Sequence, residues 1–258
     1  MPRYDFRSPR LFVETPLAAG ATVALDAGQA NYLGNVLRLA AGDTVLVFNG
    51  RDGEWRAALG GTGKRRMLTV DEQTRPQPAA GDLHLLFAPL KHARLDYMVQ
   101  KAVEMGVSRL QPVLTRHTQV SRVNLARMRA NAVEAAEQCG VLALPEIGEP
   151  ADFKAVTFHP GRVYVFCDED APVQDPMAAL AALRPKPSAL VPLAAAAPTP
   201  LAVLIGPEGG FAPEERDALR AMKNVTAIAL GPRILRADTA AVAALALVQA
   251  VLGDWTGS

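Results

Sequence analysis

The sequence predicts an α/β protein in which a small N-terminal β-barrel or sheet precedes a larger domain built on a parallel sheet. Residues 11–70 contain short apolar runs separated by turn residues, a pattern typical of antiparallel β-structure. From residue 83 onwards, apolar strands alternate with amphipathic helices, which indicates parallel strands joined by helices. A polar, proline-containing stretch at 71–82 separates the two patterns. We therefore expect two domains, at 1–74 and 75–258.

Five short strands are expected in the N-terminal domain, separated by glycine-containing turns. Their sequences are LFVE, ATVAL, DTVLVFNG, EWRAAL and RMLTV. A helix over residues 29–39 is expected to interrupt them, because its apolar residues recur at helical spacing. That apolar face consists of Tyr32, Leu33, Val36 and Leu37.

The C-terminal domain begins with three expected strands, at 83–89, 109–114 and 163–167. A helix between the first two has an apolar face consisting of Leu95, Met98, Val99, Ala102 and Val103. A second helix is expected from Asn124, whose side chain can cap it, to Cys139, where Gly140 ends it.

Two glycine-rich loops follow two continuous apolar strands near the end of the chain. LAVLI at 201–205 precedes GPEGGF, and VTAIAL at 225–230 precedes GPRILRADTA. Continuous apolar runs of this length are typical of parallel strands covered on both faces. Because open α/β sheets bind ligands beyond the carboxyl ends of their strands, both loops are candidate ligand sites and candidate neighbours in space.

A helix is expected after each of these loops. Pro213 is suited to a first helical turn, and the carboxylates of Glu214 and Glu215 complement the positive end of a helix. Asp238 or Thr239 is expected to cap a second helix that ends near Leu252.

Composition restricts the class of protein. No apolar run reaches the ~18 residues of a membrane-spanning helix, and residues 1–20 lack a signal peptide, so we expect a cytoplasmic protein without membrane contact. Cys139 and Cys167 have no metal-ligand spacing. The Pro/Ala-rich stretch 184–200 is interpreted as a surface insertion.

Charge is unevenly distributed although the net charge is only +1. Residues 91–130 hold eight Lys and Arg against two acids, whereas 131–185 hold three against nine. A basic face of this kind is typical of proteins that bind nucleic acid, and it also occurs on the solvated surfaces of ordinary enzymes.

Common catalytic and nucleotide-binding motifs are absent from the sequence. There is no GxGxxG, HExxH or GxSxG motif, and the four histidines are scattered. A metalloenzyme, an NAD-binding enzyme and a serine hydrolase are therefore excluded. GGTGK at 60–64 is similar to a P-loop, but Arg65 stands where the magnesium-binding Ser or Thr is required. We interpret it as a hairpin turn.

The second glycine-rich loop supports the interpretation of the first loop as a ligand-binding site. Glycines admit close approach of the backbone, and amides at a helix start can receive a polar ligand group. GPRILRADTA adds two arginines, Arg233 and Arg236, beside apolar Ile234 and Leu235. An apolar patch with an adjacent cation suits a flat heteroaromatic ligand beside an anionic one.

Several separated motifs together resemble the RsmE family of SPOUT methyltransferases, which make 3-methyluridine in 16S ribosomal RNA. They are NYLGNVLRLAAGD at 31–43, HARLDYMVQKAVEMGV at 92–107, TRH at 115–117, NAVEAAEQCG at 131–140, LPEI at 144–147, and the two loops. The resemblance implies a PUA-like N-terminal β-barrel, a parallel sheet with a C-terminal trefoil knot that binds S-adenosylmethionine, and a homodimer. It implies no metal.

The resemblance also assigns roles to individual residues. The cofactor-binding residues it implies are Leu204, Ile205, Gly206, Pro207, Glu208, Gly210, Leu230, Gly231, Ile234, Leu235, Arg236, Thr239 and Ala240. Arg236 is expected to stabilise the developing uridine anion; the alternative is a structural salt bridge with Asp238 or Glu208. Two sets of RNA contacts are expected: phosphate contacts from Arg7, Arg10, Arg38, Lys91 and Lys101, and target-nucleotide contacts from Arg116 and Gln138.

Three positions depart from the family pattern. Val141 stands where arginine often follows the EQCG segment, Asp238 where glutamate is usual, and Tyr32 where histidine is common. Two alternative functions remain open: a SPOUT methyltransferase acting on another RNA position, and an RNA-binding factor without catalysis. Because the net charge is small, the expected substrate is an assembled or partly assembled small ribosomal subunit.

Overall fold

The computed structural model describes residues 7–79, 81–120, 122–171, 175–184 and 199–256. The chain forms two compact units. The first contains Met1–Ala80 together with Val133–Leu144, and the second contains Gly81–Ala132 together with Pro145–Ser258. The second unit has the expected α/β architecture with a parallel sheet.

Within the described residues, the first unit contains a five-stranded sheet in the order β1-β3-β4-β5-β2. Its strands are β1 (Arg10–Phe12), β2 (Thr22–Ala24), β3 (Thr44–Phe48), β4 (Glu54–Gly60) and β5 (Met67–Arg75). Strands β1 and β3 are parallel, and the other neighbours are antiparallel. The five expected strands are therefore present, with ends that differ by up to five residues. A core that includes Val23, Val45 and Leu68 holds the sheet together.

The helix expected at 29–39 ends earlier than predicted, at Val36, and changes from α-helical to π-helical pitch at Tyr32. Helix α1 (Ala27–Asn31) begins after Asp26, whose carboxylate accepts the N–H of Gln29, and a π-helical segment continues it over Tyr32–Val36. Arg38, with a φ of 58°, follows the helical segment. The predicted apolar face is wrong in part: Leu33 is buried, but Tyr32 and Val36 are 39% and 61% exposed. A π-helix has more residues per turn than the α-helix assumed in the prediction, so positions three and four apart no longer share one face.

The second unit contains a parallel sheet in the order β12-β10-β11-β6-β7-β8, and β9 also pairs with β7, among the described residues. The strands are β6 (Leu83–Phe87), β7 (Arg109–Leu114), β8 (Glu146–Ile147), β9 (Ala151–Asp152), β10 (Val163–Cys167), β11 (Leu201–Ile205) and β12 (Val225–Ile228). The helices that begin in this unit are α2 (His92–Glu104), α3 (Leu125–Cys139), α4 (Pro176–Ala181), α5 (Pro213–Arg220) and α6 (Ala237–Val251). From Val133 onwards, α3 belongs to the first unit.

Helix ends agree with the sequence in two places and differ in one. The Asn124 side chain accepts the N–H of Arg127 at the start of α3, and Gly140 follows the helix with a φ of 66°. Helix α5 starts at Pro213 as expected. Helix α6 begins one residue before Asp238, so neither Asp238 nor Thr239 caps it. Arg236 occupies the N-cap position without a capping side-chain hydrogen bond.

Aromatic packing fixes the sheet beneath the first glycine-rich loop. Phe211, in the loop after β11, packs edge-on against Phe166 of β10 with ring centroids 5.0 Å apart. Both rings belong to a buried cluster with Leu86 and Leu204. The loop is therefore attached to the core of the unit rather than lying free on its surface.

Two further expectations from the sequence concern residues 184–200 and membrane-spanning helices. Most of the Pro/Ala-rich stretch 184–200 lies outside the described residues. In the part of the chain that the structure describes, no helix has both the length and the apolar character needed to cross a bilayer.

Candidate active site

Three neighbouring strands of the parallel sheet end at the same level. Cys167 at the end of β10 is in register with Ile205 of β11 on one side and with Ile228 of β12 on the other. The loops after these strands therefore leave the sheet side by side. The two glycine-rich loops flank the loop that begins at Asp168.

The loop after β11 forms one wall of a cavity of about 430 Å³, which we call the GPEGG cavity. Its lining consists of Cys167, Glu169, Ile205, Gly206, Pro207, Glu208, Gly209, Gly210, Phe211, Ile234, Leu235, Arg236, Ala237 and Ala240. Both glycine-rich loops thus line one cavity, which confirms the expectation that they are neighbours.

A second cavity of about 390 Å³, which we call the GPRIL cavity, adjoins the first. Its lining consists of Cys167, Asp168, Glu169, Ala171, Ala229, Leu230, Gly231, Pro232, Arg233, Ile234, Leu235 and Ala240. Together the two cavities form a cleft of the size that small-molecule ligands occupy at the carboxyl ends of parallel strands.

Glycine is required at more than one position of these loops, as Gly206 and Gly231 show. A Cβ on Gly206 would lie 2.5 Å from the Phe211 ring, so a side chain there would displace the aromatic cluster. Gly231 has a φ of 97°, a conformation that other residues rarely adopt. The loops consequently bring backbone, rather than side chains, to much of the cleft.

The loop after β7 supports the GPEGG segment. His117 Nδ1 lies 3.1 Å from the carbonyl oxygen of Gly210, and the N–H of Arg116 donates to Glu215 Oε1 at 2.9 Å. Glu215 also accepts the N–H of Ala212 at 3.0 Å, just before α5. One carboxylate therefore fixes the start of α5 to the loop that carries Arg116.

Charged side chains stand on both sides of the cleft. Glu208 forms an ion pair with Arg94 of α2. Asp168, Glu169 and Asp170 all contact the guanidinium group of Arg216, and Asp168 also binds Arg220. Arg233 and Arg236 on the opposite loop are exposed.

Arg236 is placed where it does not help the helix that it precedes. A cation at the N-terminus of α6 opposes the helix dipole. In the described part of the chain Arg236 forms no ion pair with Asp238 or Glu208, the structural alternative raised by the sequence. Its exposed guanidinium lines the GPEGG cavity and is available to an anionic ligand.

The apolar side of the cleft comes from the second loop. Ile234 is 91% exposed and lines both cavities. Cys167 also lines both, and burial, together with the nearby Asp168, raises the pKa of its thiol to about 12. The thiol is therefore neutral at physiological pH and adds to the uncharged surface.

Eleven of the thirteen residues assigned to the cofactor line one or both cavities. Leu204 is buried in the aromatic cluster, and Thr239 is exposed in the first turn of α6 outside both linings. The sequence reasoning missed the loop after β10, which contributes Asp168 and Glu169. Its signal was available, because VYVFC was recognised as a buried strand and DED follows it directly.

The expected RNA contacts in the second unit occupy different settings. Lys91 is exposed at the N-cap of α2, and Arg116 is exposed in the loop after β7. Lys101 binds Glu104 at 2.7 Å and lies 5.7 Å from the centre of the Tyr97 ring.

In the first unit, Arg7, Arg10 and Gln138 line a cavity of about 700 Å³. Arg7 and Gln138 are exposed. Arg10 is only 5% exposed, and its Nε donates to Glu54 at 2.9 Å, which suits a structural role rather than a phosphate contact. Arg38 is exposed outside this cavity.

The three departures from the family pattern lie in different environments. Tyr32 lines the same 700 Å³ cavity, whereas Val141 is half-buried and donates its N–H to Ala136. The carboxylate of Asp238 accepts the N–H of Thr239 at 3.0 Å.

Comparison with known proteins assigns the chain to a class. The model of the RNA methyltransferase domain matches residues 76–249, and that of the RNA methyltransferase PUA domain matches residues 25–71. These matches define an RNA methyltransferase with an N-terminal PUA domain.

Individual relatives narrow the class. The Ribosomal RNA small subunit methyltransferase E of Synechocystis sp. is 34% identical over 94% of this chain and 78% of its own length. The Rickettsia conorii enzyme of the same name is 27% identical over 93% of this chain and 94% of its own length. The crystal structure of the Ribosomal RNA small subunit methyltransferase E from Neisseria gonorrhoeae, bound to S-adenosyl methionine, matches this chain with a TM-score of 0.78 and 26% identity. The match covers 94% of this chain and 97% of that chain. The chain belongs to the ribosomal RNA small subunit methyltransferase E family, as its motifs predicted.

Proposed function

We propose that the protein transfers the methyl group of S-adenosylmethionine to N3 of a specific uridine in 16S rRNA of the small ribosomal subunit. The observation that carries this proposal is the cleft formed by two glycine-rich loops at the carboxyl ends of β10, β11 and β12. Family membership and the S-adenosyl methionine bound to the Neisseria gonorrhoeae relative support the choice of cofactor.

The residues of the cleft fit S-adenosylmethionine. The two adjoining cavities suit a ligand with two arms, and each lies beside one glycine-rich loop. Exposed Ile234 offers an apolar surface to an adenine ring, and backbone groups around Gly206 and Gly231 can reach its polar edges. When bound, this cofactor supplies an electrophilic methyl group on a sulfonium.

Arg236 is the residue that we assign to the chemistry. The N3 atom of uridine lies on the Watson–Crick edge, so the base must be unpaired when it reaches the cleft. Loss of the N3 proton to water leaves an anion, whose electron pair forms the new N–CH₃ bond while the C–S bond breaks with its electrons going to sulfur. The guanidinium of Arg236 stabilises the uracil anion in this step.

RNA recognition is assigned to basic and polar residues on each unit, which are exposed except for half-buried Lys101, paired with Glu104. On the first unit these are Arg7, Arg38 and Gln138, and on the second Lys91, Lys101 and Arg116. We omit Arg10 because its guanidinium is buried against Glu54. Arg7, Arg38, Lys91 and Lys101 are proposed to position the RNA through its phosphates, and Arg116 and Gln138 to contact the target nucleotide.

The remaining family properties complete the proposal. They are a homodimer and a trefoil knot in the parallel-sheet domain. To these we add two proposals from sequence composition, a boundary between domains at 74–75 and a cytoplasmic location. Light scattering at twice the mass of the chain would support the dimer, and the mass of one chain would contradict it.

Calorimetry with S-adenosylmethionine tests the cofactor assignment. Binding by the full chain is expected, with substitution of Gly206 weakening it. Absence of binding at millimolar ligand would instead favour an RNA-binding factor without catalysis.

Mass spectrometry of 16S rRNA tests the target. We expect 3-methyluridine to disappear from a strain that lacks this protein and to return when the gene is restored. Unchanged 3-methyluridine together with loss of another methylated nucleotide would favour a methyltransferase acting at another RNA position.

A further inference from the structure

The two cavities of the cleft share a set of residues that includes one carboxylate. The shared residues are Cys167, Glu169, Ile234, Leu235 and Ala240. The last three are apolar, and the raised pKa keeps the Cys167 thiol neutral. Among the described residues that line both cavities, Glu169 is therefore the one that brings a charge.

The position of Glu169 directs its carboxylate to the first glycine-rich loop. Its Oε1 lies 3.0 Å from the place that a Cβ on Gly210 would take. The absence of a side chain at Gly210 thus leaves room for the carboxylate beside the GPEGG segment. The Glu169 side chain is 51% exposed, so one side of it faces open space.

The charge of Glu169 is only partly compensated by its neighbours. Asp168, Glu169 and Asp170 contact Arg216, and Arg220 contacts Asp168 as well. Three carboxylates against two guanidinium groups leave one negative charge. Since the Asp168 side chain is 1% exposed and binds both arginines, this charge faces solvent at Glu169 and Asp170. Of these two, Glu169 alone lines the cavities.

We propose that Glu169 is a specificity-determining residue that distinguishes the charged methyl donor from its neutral-sulfur product. The inference rests on the proposed use of S-adenosylmethionine. A ligand that places its adenosine arm in one cavity and its methionine arm in the other has its junction beside the shared residues. That junction is the sulfonium, which carries a positive charge.

The proposal has a direct consequence for turnover. Methyl transfer converts the sulfonium to a neutral thioether, so the attraction of Glu169 for the junction is lost when product forms. The adenosine and methionine arms are unchanged and keep their other contacts. Glu169 therefore favours binding of the donor over retention of S-adenosylhomocysteine.

Calorimetry of three proteins with two ligands tests this role. The dissociation constants of S-adenosylmethionine and S-adenosylhomocysteine are measured for the wild type, Glu169→Gln and Asp170→Asn. Asp170 is the matched control, because its carboxylate contacts the same Arg216 but does not line either cavity. Glu169→Gln is expected to weaken donor binding about fivefold and to change product binding by less than about twofold.

The ratio of the two dissociation constants separates the outcomes. Asp170→Asn is expected to leave it unchanged, and Glu169→Asp to preserve most of the wild-type preference. Equal weakening of both ligands by Glu169→Gln, or the same change of ratio in Asp170→Asn, would overturn the proposal. Failure of the wild type to bind either ligand would instead contradict the proposed function. Product binding that is retained by Glu169→Gln shows that the variant is folded.

Discussion

Arg236, to which we assign the stabilisation of the uracil anion, lies where its charge disfavours its own helix. It occupies the N-cap of α6 without a capping hydrogen bond, and its positive charge opposes the helix dipole there. Removal of the side chain should therefore not weaken the helix. Any loss of function in a variant can be attributed to the missing guanidinium rather than to unfolding.

We expect Arg236→Ala to lower kcat for methyl transfer by about 10²- to 10³-fold, the range found when one group that stabilises a developing anion is removed. Arg236→Lys, which keeps the charge, should retain part of the activity. Single-turnover kinetics measures the rate of methyl transfer. Calorimetry measures donor affinity separately, because Arg236 is also among the residues expected to bind the cofactor. An unchanged kcat would remove Arg236 from the mechanism.

Glu54 is a second residue whose charge has a defined role, in the first unit. It is 2% exposed and binds Arg10 and Arg75 at 2.9 and 2.6 Å. Burial disfavours its ionisation, but hydrogen bonds from Arg75, Arg10 and Thr74 outweigh burial and hold its pKa below the usual 4.5. The carboxylate is therefore ionised in the folded protein.

Glu54→Gln is expected to destabilise the protein by about 3 kcal/mol, because it leaves buried Arg10 without its carboxylate. Urea denaturation at neutral pH measures the loss. The control is Glu72→Gln, which removes a half-exposed pair with Arg56 and should cost at most about 1 kcal/mol. Equal losses in the two variants would contradict the structural role of Glu54.

The pH dependence of this difference has a fixed sign. A carboxyl group whose pKa is lowered by folding stabilises the protein above its unfolded pKa, and this stabilisation is lost as pH falls through the folded pKa. The stability of the wild type should therefore approach that of Glu54→Gln below pH 4.5. A difference that grows on acidification would contradict the assignment.

At the scale of elements, five strands of the second unit and the two glycine-rich loops were predicted, whereas β8, β9 and the π-helical pitch over Tyr32–Val36 were not. Continuous apolar runs identified β10 and β11 because a covered strand needs no polar face. The π-helical turn after α1 was missed because the prediction searched for apolar residues at α-helical spacing, and a π-helix has more residues per turn. The start of α6 at Ala237 was also missed, because an arginine N-cap violates the usual capping preference.

The part of the site that the sequence could not predict is the part that depends on the order of the strands in the sheet. The two glycine-rich loops carry their own signal, since Gly206 and Gly231 mark a close approach and a left-handed turn. Glu169 carries a weaker signal, namely its place in the DED segment directly after the predicted strand β10. Its place in the cleft follows from the pairing of β10 between β11 and β12, which single-strand patterns do not specify.

Gly206→Ala tests the loop as an element. Because the added Cβ would meet the Phe211 ring at 2.5 Å, we expect the loop to shift, with a loss of about 1–3 kcal/mol of stability and at least about tenfold weaker donor binding. Gly161→Ala is the control, since a Cβ there meets nothing within 4 Å. Thermal unfolding and calorimetry measure the two effects. Wild-type donor affinity in Gly206→Ala would show that the loop does not form the site.

At the scale of the whole molecule, charge predicts the state of the substrate. The net charge is only +1, so nonspecific attraction to phosphates is weak at physiological salt. We therefore expect faster methylation of assembled or partly assembled small subunits than of protein-free 16S rRNA. Methyl incorporation at about 0.15 M salt measures both rates. Equal turnover on the two substrates would count against this expectation.

The assignment of residues 133–144 to the first unit has a consequence for dividing the protein into parts. The chain passes between the units near 80, 132 and 144, so a single cut does not release either of them intact. A fragment that ends at residue 80 would lack Glu137, which accepts the N–H of Phe12 at 2.8 Å, and the Gly140 carbonyl that Arg75 binds at 3.1 Å. Exchange of the N-terminal unit between relatives would therefore need the short internal segment to be exchanged with it.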